Sequence, residues 1–308
     1  TSVAGLFWSA FALREHLWQR RNFQLTTASI RTLEGAAAKA GPDARSNTWG
    51  AATKGVIRTG PSSGLDIRTP IDEQAQWLLK QEPDYLITYP SNALALARHF
   101  QQHDFKLSNL RELLLFGEQL EPFVRRECQA TFGVKITDVY SSQEFGHLAL
   151  QCPEHEHYHV QSENVLLEVL HDDGQPCAPG EVGRVVVTGL HNFATPLIRY
   201  EIGDYAEVGA RCPCGRGLPV LNRLMGRQRN LAVLPDGRRV WPAVELESPT
   251  EITNVRPIQQ FQLIQRSREA MELLLVCPQP LSEDEEQLVR AWANEAIGHP
   301  FDIAITYV

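Results

Sequence analysis

Between Asp84 and Tyr140 the sequence alternates between strand-like and helix-like segments, and this alternation restricts the chain to an α/β fold. DYLITY (84–89) reads as a strand closed by Pro90. SNALALARHFQQH (91–103) follows as a helix, with Ser91 or Asn92 placed to cap its first turn. LRELLLFG (110–117) is nearly continuous in apolar residues, as expected of a strand buried on both faces. EPFVRRECQATFG (121–133) has Pro122 near its start and Gly133 at its end, the usual punctuation of a helix. VKITDVY (134–140) is a third strand. Strands joined by helices in this way imply a parallel sheet with right-handed crossovers. Ligands bind such sheets beyond the carboxyl ends of the strands. That puts Tyr89-Pro90-Ser91, Phe116-Gly117-Glu118 and Tyr140-Ser141-Ser142 on one rim.

After Gln143 the pattern becomes short β-type runs separated by Gly and Pro turns: HLALQC, NVLLEVL, GRVVVTG and PLIRYEI. These predict a β-rich subdomain packed on the parallel sheet. From Gly226 a smaller section follows. It holds a hairpin around Pro235-Asp236-Gly237, strands at IQQFQLIQ and MELLLVC, a helix opening at Ser282, and a final strand FDIAITYV. The Ser282-to-Glu285 spacing is that of a capping box. The expected division is therefore residues 1–225, a large ligand-binding domain, and 226–308, a small α+β lid.

With 308 residues, 43% hydrophobic and 21% charged, the chain has ordinary globular composition and room for a large and a small domain. A net charge of −8 argues against a general phosphate-backbone binder and leaves a single nucleotide site open. No apolar run approaches the roughly 20 residues that cross a bilayer. The N-terminal stretch reads as an amphipathic core helix carrying Trp8, Phe11, Leu13 and Trp18, not as a signal peptide. Neither nucleic acid nor membrane is expected as a partner, a homodimer is left open, and a cytoplasmic location is the default.

Three segments carry the chemistry: VYSSQEFG (139–146), PLIRYEIGDY (196–205) and LMGRQRN (224–230). An aromatic at a strand end, Tyr140, can stack on a purine. Glu144 offers a hard carboxylate for Mg²⁺ and phosphate oxygens. Asp204, acceptor-only, suits two ribose hydroxyls, and Arg227 presents a planar fork to ribose or phosphate oxygens. Gly117 allows a ligand to approach the backbone closely, and Glu118 follows it. Each residue alone has a bland alternative, whether core aromatic, solvated carboxylate or an Arg199–Asp204 ion pair. Their conjunction is what points to a site.

A second constellation gathers Cys and His. QCPEHEHYH (151–159) and CPCGR (212–216) offer Cys152, His159, Cys212 and Cys214 as four S/N ligands for a structural Zn²⁺, with His155 or His157 as substitutes. The bland reading is exposed histidines beside unrelated thiols.

In order and spacing, the three chemical segments resemble the adenine/magnesium, ribose and hinge motifs of the adenylate-forming enzymes. YPSNALALA, LFGEQLEP, GEVGRVVVTG and CPCGR resemble the phenylacetate–coenzyme A ligase branch of that superfamily. The likeness runs over essentially the whole chain. It implies an α/β large domain with a C-terminal lid and an AMP-forming ligase. Such an enzyme activates an aryl or arylacetic acid with ATP and passes the acyl group to coenzyme A or to a carrier-protein thiol. By the resemblance, Glu144, Ser142 and Arg227 are catalytic. Gly117, Glu118, Tyr140, Ser141, Asp204 and Arg227 hold the nucleotide, with Mg²⁺ on Glu144. Arg229 is the hinge, and Tyr89, Ser91, Gly117 and Tyr140 bound the acid pocket.

The family also carries a Ser/Thr/Gly-rich phosphate loop ending in Lys upstream of these motifs, and a Lys near the C-terminus. Neither is present, and no lysine follows Lys135. TGPSSGL (59–65) reads as a surface turn or a coenzyme-side loop. The expectation is a piece of a longer protein, incomplete at both its N-terminal and C-terminal ends; the alternative is a non-catalytic relative that binds nucleotide or acyl ligand.

Overall fold

The computed structural model describes residues 2–33, 44–242 and 255–308. They fall into two compact units, Thr1–Leu120 with Val124–Gly226, and Glu121–Phe123 with Arg227–Val308.

In the first unit, helix α1 (Ser2–Trp18) precedes strands β1 (Thr27–Arg31), β2 (Ala44–Ser46) and β3 (Ser62–Asp66). Then come α2 (Ile71–Gln81), β4 (Tyr85–Thr88), α3 (Pro90–His103), β5 (Glu112–Phe116), α4 (Pro122–Phe132) and β6 (Lys135–Ser142). The strands β7 (Gly146–Gln151), β8 (Tyr158–Val160), β9 (Val165–Leu170), β10 (Val182–Gly189), β11 (Tyr200–Val208) and β12 (Val220–Arg227) complete it. Among the described residues they form one 12-stranded sheet in the order β2-β3-β1-β4-β5-β6-β7-β8-β12-β11-β10-β9.

The parallel core is wider than the sequence predicts. To β4, β5 and β6 the structure adds β1 and β3, both parallel. The expected surface turn at 59–65 is thus corrected, since Ser62–Asp66 is a strand inside the sheet. TASIR and SSGLD hide as strands because Gly, Asp and Ala weaken the β signal and each run has few large apolar residues, although Ala28, Ile30 and Leu65 are buried. The β-rich segment is corrected too. It does not pack on a face of the parallel sheet but continues its edge, through the antiparallel pair β6–β7. Its PLIRYEI run becomes strand only at Tyr200.

That extended edge curls. Tyr140 on β6 reaches Asp204 on β11 by a 2.8 Å hydrogen bond, although three strands separate β6 from β11 in the sheet order. At about 4.8 Å per strand a flat sheet would hold them about 19 Å apart. Inside the curl lies a core with Tyr140, Leu148, Tyr158, Val160, Val187 and Leu221.

Helix α1 departs from a simple amphipathic pattern. Its buried line holds Phe11 and Glu15, whereas Leu6, Trp8 and Leu17 are exposed. Glu15 is accommodated by Arg21, whose guanidinium also bonds Glu112 on β5 at 2.7 and 2.9 Å. Pairing of this kind is what a buried carboxylate requires. The cap expected from Ser91 or Asn92 is also corrected: the N-cap of α3 is Tyr89 with Pro90 in the first turn, and no side chain within the helix caps it.

In the second unit, β13 (Ala232–Val233) and β14 (Arg239–Val240) form the hairpin. Strands β15 (Gln260–Gln265), β16 (Ala270–Val276) and β17 (Asp302–Tyr307) form a sheet with β16 central. Helix α5 (Glu283–Ile297) opens on the full Ser282/Glu285 capping box and ends on left-handed Gly298. Alternate burial along β16 turns Met271, Leu273 and Leu275 toward Val289, Trp292 and Ala293 of α5.

Candidate nucleotide site and metal cluster

Site residues gather where the parallel strands end. Tyr140 sits near the end of β6, and its hydroxyl donates to Asp204 Oδ2. The ring is 8% exposed, so little of its face is open for a purine to stack on. Past it, a bulge between Tyr140 and Ser141 re-aims the strand. Ser142 Oγ accepts from the Phe145 N–H at 3.2 Å, tying down the turn that carries exposed Glu144. Gly203, immediately before Asp204, takes a left-handed φ of 82°. The bland ion pair between Arg199 and Asp204 is not formed; Arg199 pairs with Glu168 at 3.3 Å.

A second group stands at the ends of β4 and β5. Tyr89 packs on Phe116 with ring centroids 4.8 Å apart. Gly117 (φ 79°) lies so close that an added methyl would sit 3.1 Å from the Tyr89 ring. Glu118 accepts from both the Ser91 N–H and the Ser91 hydroxyl at 2.9 Å. The carboxylate therefore serves the N-terminus of α3, where its charge suits the helix dipole. Arg227 closes β12 and is exposed. The hinge candidate Arg229 falls in a single 3₁₀ turn, Gln228–Asn230, and its side chain lies outside the described residues.

Sequence reasoning missed one wall of the Glu144 turn. A cleft of about 130 Å³ lies between the first turns of α1 and the β6–β7 connection, lined by Phe7, Trp8, Glu144, His147, Asn164 and His191 among others. Trp8 lies against His147 at 4.5 Å and Phe7 stacks on His191 at 3.7 Å. Burial pushes the His147 imidazole down to about 4, so it is neutral near pH 7. These residues are far apart in the chain, and no local motif marks them.

At the other end of β7 the Cys/His segments converge. Ligand atoms of Cys152, His157, His159 and Cys212 all lie within 4.8 Å of one another. Cys214 Sγ lies 3.3 Å from His159 Nε2. Strand β8 delivers His159 beside Val220 of β12, which brings the CPCG turn alongside. His157, not His155, enters the cluster; the His155 ring stacks on that of His157 with centroids 5.0 Å apart. His157 Nε2 is buried with no hydrogen-bond partner among the described residues. An orphaned imidazole nitrogen among thiols suits a soft divalent cation. Burial raises Cys212 to about 11. Cys214 is pulled up by burial, yet Arg216 beside it holds it below the usual thiol range. Another group, His171, Cys177 and Glu181, occupies the β9–β10 hairpin. There Glu181 is already engaged by His171 at 3.0 Å and by the Ala178 N–H at 2.6 Å, as a turn lock.

No family model matches the chain. Among curated proteins it is 28% identical over 178 residues to a phenylacetate–coenzyme A ligase of Thermus thermophilus, covering 56% of this chain and 40% of that protein. To the phenylacetate–coenzyme A ligase of Escherichia coli it is 24% identical over 208 residues, 63% of this chain and 46% of that one. The chain spans about half the length of the curated relatives it matches. Among solved structures, a 2-hydroxyisobutyryl–coenzyme A ligase in its postadenylation state superposes with a TM-score of 0.72 at 18% identity, covering 98% of this chain and 66% of that one. An anthranilate–coenzyme A ligase in complex with anthranoyl-AMP gives 0.70 at 15% identity, 99% of this chain and 59% of that one. The solved structures establish the fold, and the curated relatives show which ligases the sequence is similar to. The chain is thus similar in sequence to phenylacetate–coenzyme A ligases and has the fold of adenylate-forming enzymes.

Proposed function

We propose that this chain is the nucleotide-handling part of an AMP-forming acid–thiol ligase. A carboxylate oxygen of the acid attacks the α-phosphorus of ATP and pyrophosphate leaves. The sulfur of a thiol then attacks the acyl carbon, AMP leaves, and the thiol proton passes to solvent or base. Adenylation replaces a poor leaving group with AMP, so the protein's contribution is mainly positioning and charge neutralisation.

The observation that supports this reading is the Tyr140–Asp204 hydrogen bond of 2.8 Å, which brings together the two segments that resemble the adenine and ribose motifs. Asp204 would accept the ribose hydroxyls. Ser141, Gly117 and Glu118 would border the base, and Ser142 would face the α-phosphate or the acyl carboxylate. Arg227 would meet ribose or phosphate oxygens. Glu144, exposed on a tied turn, would hold Mg²⁺, which neutralises phosphate charge when bound. Tyr89, Ser91, Gly117 and Tyr140 would bound the pocket for an aryl or arylacetic acid, as the relatives named for phenylacetate suggest. Coenzyme A is the acceptor favoured by those relatives, and Arg229 would be the hinge between the half-reactions.

The same reading assigns Zn²⁺ to Cys152, His159 and Cys212 with Cys214 or His157, in a structural role that bridges the turn after β7 to the CPCG turn. ATP–pyrophosphate exchange over a panel of aryl and arylacetic acids tests the proposal. Acid-dependent exchange supports it, and nucleotide binding with no exchange for any acid would favour a non-catalytic binder.

A further inference from the structure

We infer that Arg216 is a positioning residue for the Cys/His cluster and that, through the Trp18 ring, it makes the end of helix α1 part of the metal clasp. The inference rests on the zinc reading above and adds to it a charge partner and a third chain segment.

Zinc binds cysteine as the thiolate. With Cys152, Cys212 and Cys214 in that form, a dication leaves the cluster one net negative charge, and Arg216, beside Cys214, is a cation that can answer it. Two of the guanidinium's donors, Nε and Nη1, are buried with no hydrogen-bond partner among the described residues. Its ion pair with Glu154 Oε1, at 3.6 Å, is longer than a hydrogen bond. Buried donors without acceptors are costly, and neutral thiols accept only weakly; metal-bound thiolates offset that cost. Arg216 therefore favours the arrangement with three thiolates over the one completed by His157. Trp18, the last residue of α1, holds the guanidinium in place: Cζ of Arg216 lies 4.8 Å from the centre of the indole. The same indole meets the His159 imidazole edge-on at 5.8 Å. Gln19, next in the chain, donates from Nε2 to the carbonyl of Gln151, one residue before Cys152, at 3.0 Å. The end of α1 thus touches the cluster at His159, at Arg216 and beside Cys152.

Titrating the metal-stripped protein with zinc against a chromophoric chelator reads the affinity for the first equivalent. Arg216→Gln should weaken it about 10- to 100-fold, the scale for outer partners of metal ligands. Arg216→Lys keeps the charge without the flat face and should recover part of the loss. Trp18→Leu should weaken zinc binding too, and by less when Arg216→Gln is already present. Hydrogen exchange gives a second readout: zinc should slow exchange of the amides of residues 15–21 in the unmodified protein, and Cys212→Ser should abolish that slowing. Unchanged zinc affinity in Arg216→Gln, whatever happens to its melting temperature, overturns the charge-partner role. Exchange in residues 15–21 that ignores zinc overturns the link to α1. Should Arg216→Gln not fold, Trp18→Leu binding zinc as tightly as the unmodified protein overturns the inference. If the unmodified protein binds no zinc, the zinc reading fails with it; if it binds zinc and both variants bind equally well, the inference alone fails.

Discussion

The Trp8 ring lies over the backbone of Gly146, so that a methyl group added at that glycine would sit 2.9 Å from Trp8 Cε3. Gly146 also takes a left-handed φ of 73°. Two penalties therefore meet in Gly146→Ala: the strain of positive φ and displacement of the indole from His147. A loss of about 1–2 kcal/mol by urea unfolding is expected. Trp8→Ala should remove the steric share and leave the strain, so the two substitutions should couple favourably. Strict additivity would contradict the contact.

Arg21 joins α1 to the parallel sheet through Glu15 and Glu112, all three at 7% exposure or less. Arg21→Met leaves two buried carboxylates uncompensated, which costs about 3–5 kcal/mol. Replacing all three by apolar residues of similar volume should recover most of that loss, because the desolvation penalty goes with the charges. Chemical denaturation of the two variants checks both statements.

Stability should fall with acid. Burial, aided by Arg21 and opposed by Glu112, pushes His16 down to about 3. Burial, opposed by Glu15 and aided by His16, pushes His147 down to about 4. Each folded value lies below the ordinary imidazole value of about 6.5. The unfolded chain therefore binds more protons as pH drops through 6.5, and stability is lost from there down toward the folded values. The slope is at most about 1.4 kcal/mol per pH unit for each histidine. Asp138 works in the opposite sense, since burial raises it to about 6. Urea midpoints at pH 7, 5.5 and 4.5 should show His147→Gln less acid-sensitive than the unmodified protein.

The sequence makes the strong periodicities plain and the polar strands obscure. ELLLF and the Ser282/Glu285 box announce β5 and α5 because apolar runs and caps are local signals. TASIR and SSGLD are strands because of their neighbours, and no local propensity reveals that. The continuation of the sheet through β7 was hidden for a related reason: strand order is a long-range property. At the site, Tyr140 and Asp204 are recognisable as types, but their direct bond depends on the curl. Trp8 and His147 carry no motif and become neighbours only in three dimensions.

Metal content separates a clasp from a chance cluster. About one equivalent of zinc per chain is expected by elemental analysis, and Cys212→Ser should reduce it below about a tenth. Cys214→Ser should release more metal than His157→Ala if the CPCG turn supplies the fourth ligand, and the reverse order would assign it to His157. Chelation should lower the melting temperature, because β8 and β12 pair by only two residues, His159↔Val220 and Tyr158↔Leu221, beside the cluster.

Glu144 offers the sharpest division between structure and chemistry. Its side chain is exposed on the β6–β7 turn, and the turn is held by Ser142 Oγ and the Phe145 N–H, not by the Glu144 carboxylate. Glu144→Gln keeps shape and removes charge, so unfolding stability should change by no more than about 0.5 kcal/mol. A hard cation prefers an ionised carboxylate to an amide when it must also balance phosphate charge. Acid-dependent ATP–pyrophosphate exchange should therefore fall about 100-fold or more, the scale seen when one group that neutralises transition-state charge is removed. Ser142→Ala is the companion experiment. It frees the turn without touching the carboxylate and should lower exchange by less while loosening the cleft beside Trp8. If Glu144→Gln lost stability and exchange in equal measure, the carboxylate would be structural; if it lost neither, the Mg²⁺ role would have to move to another residue.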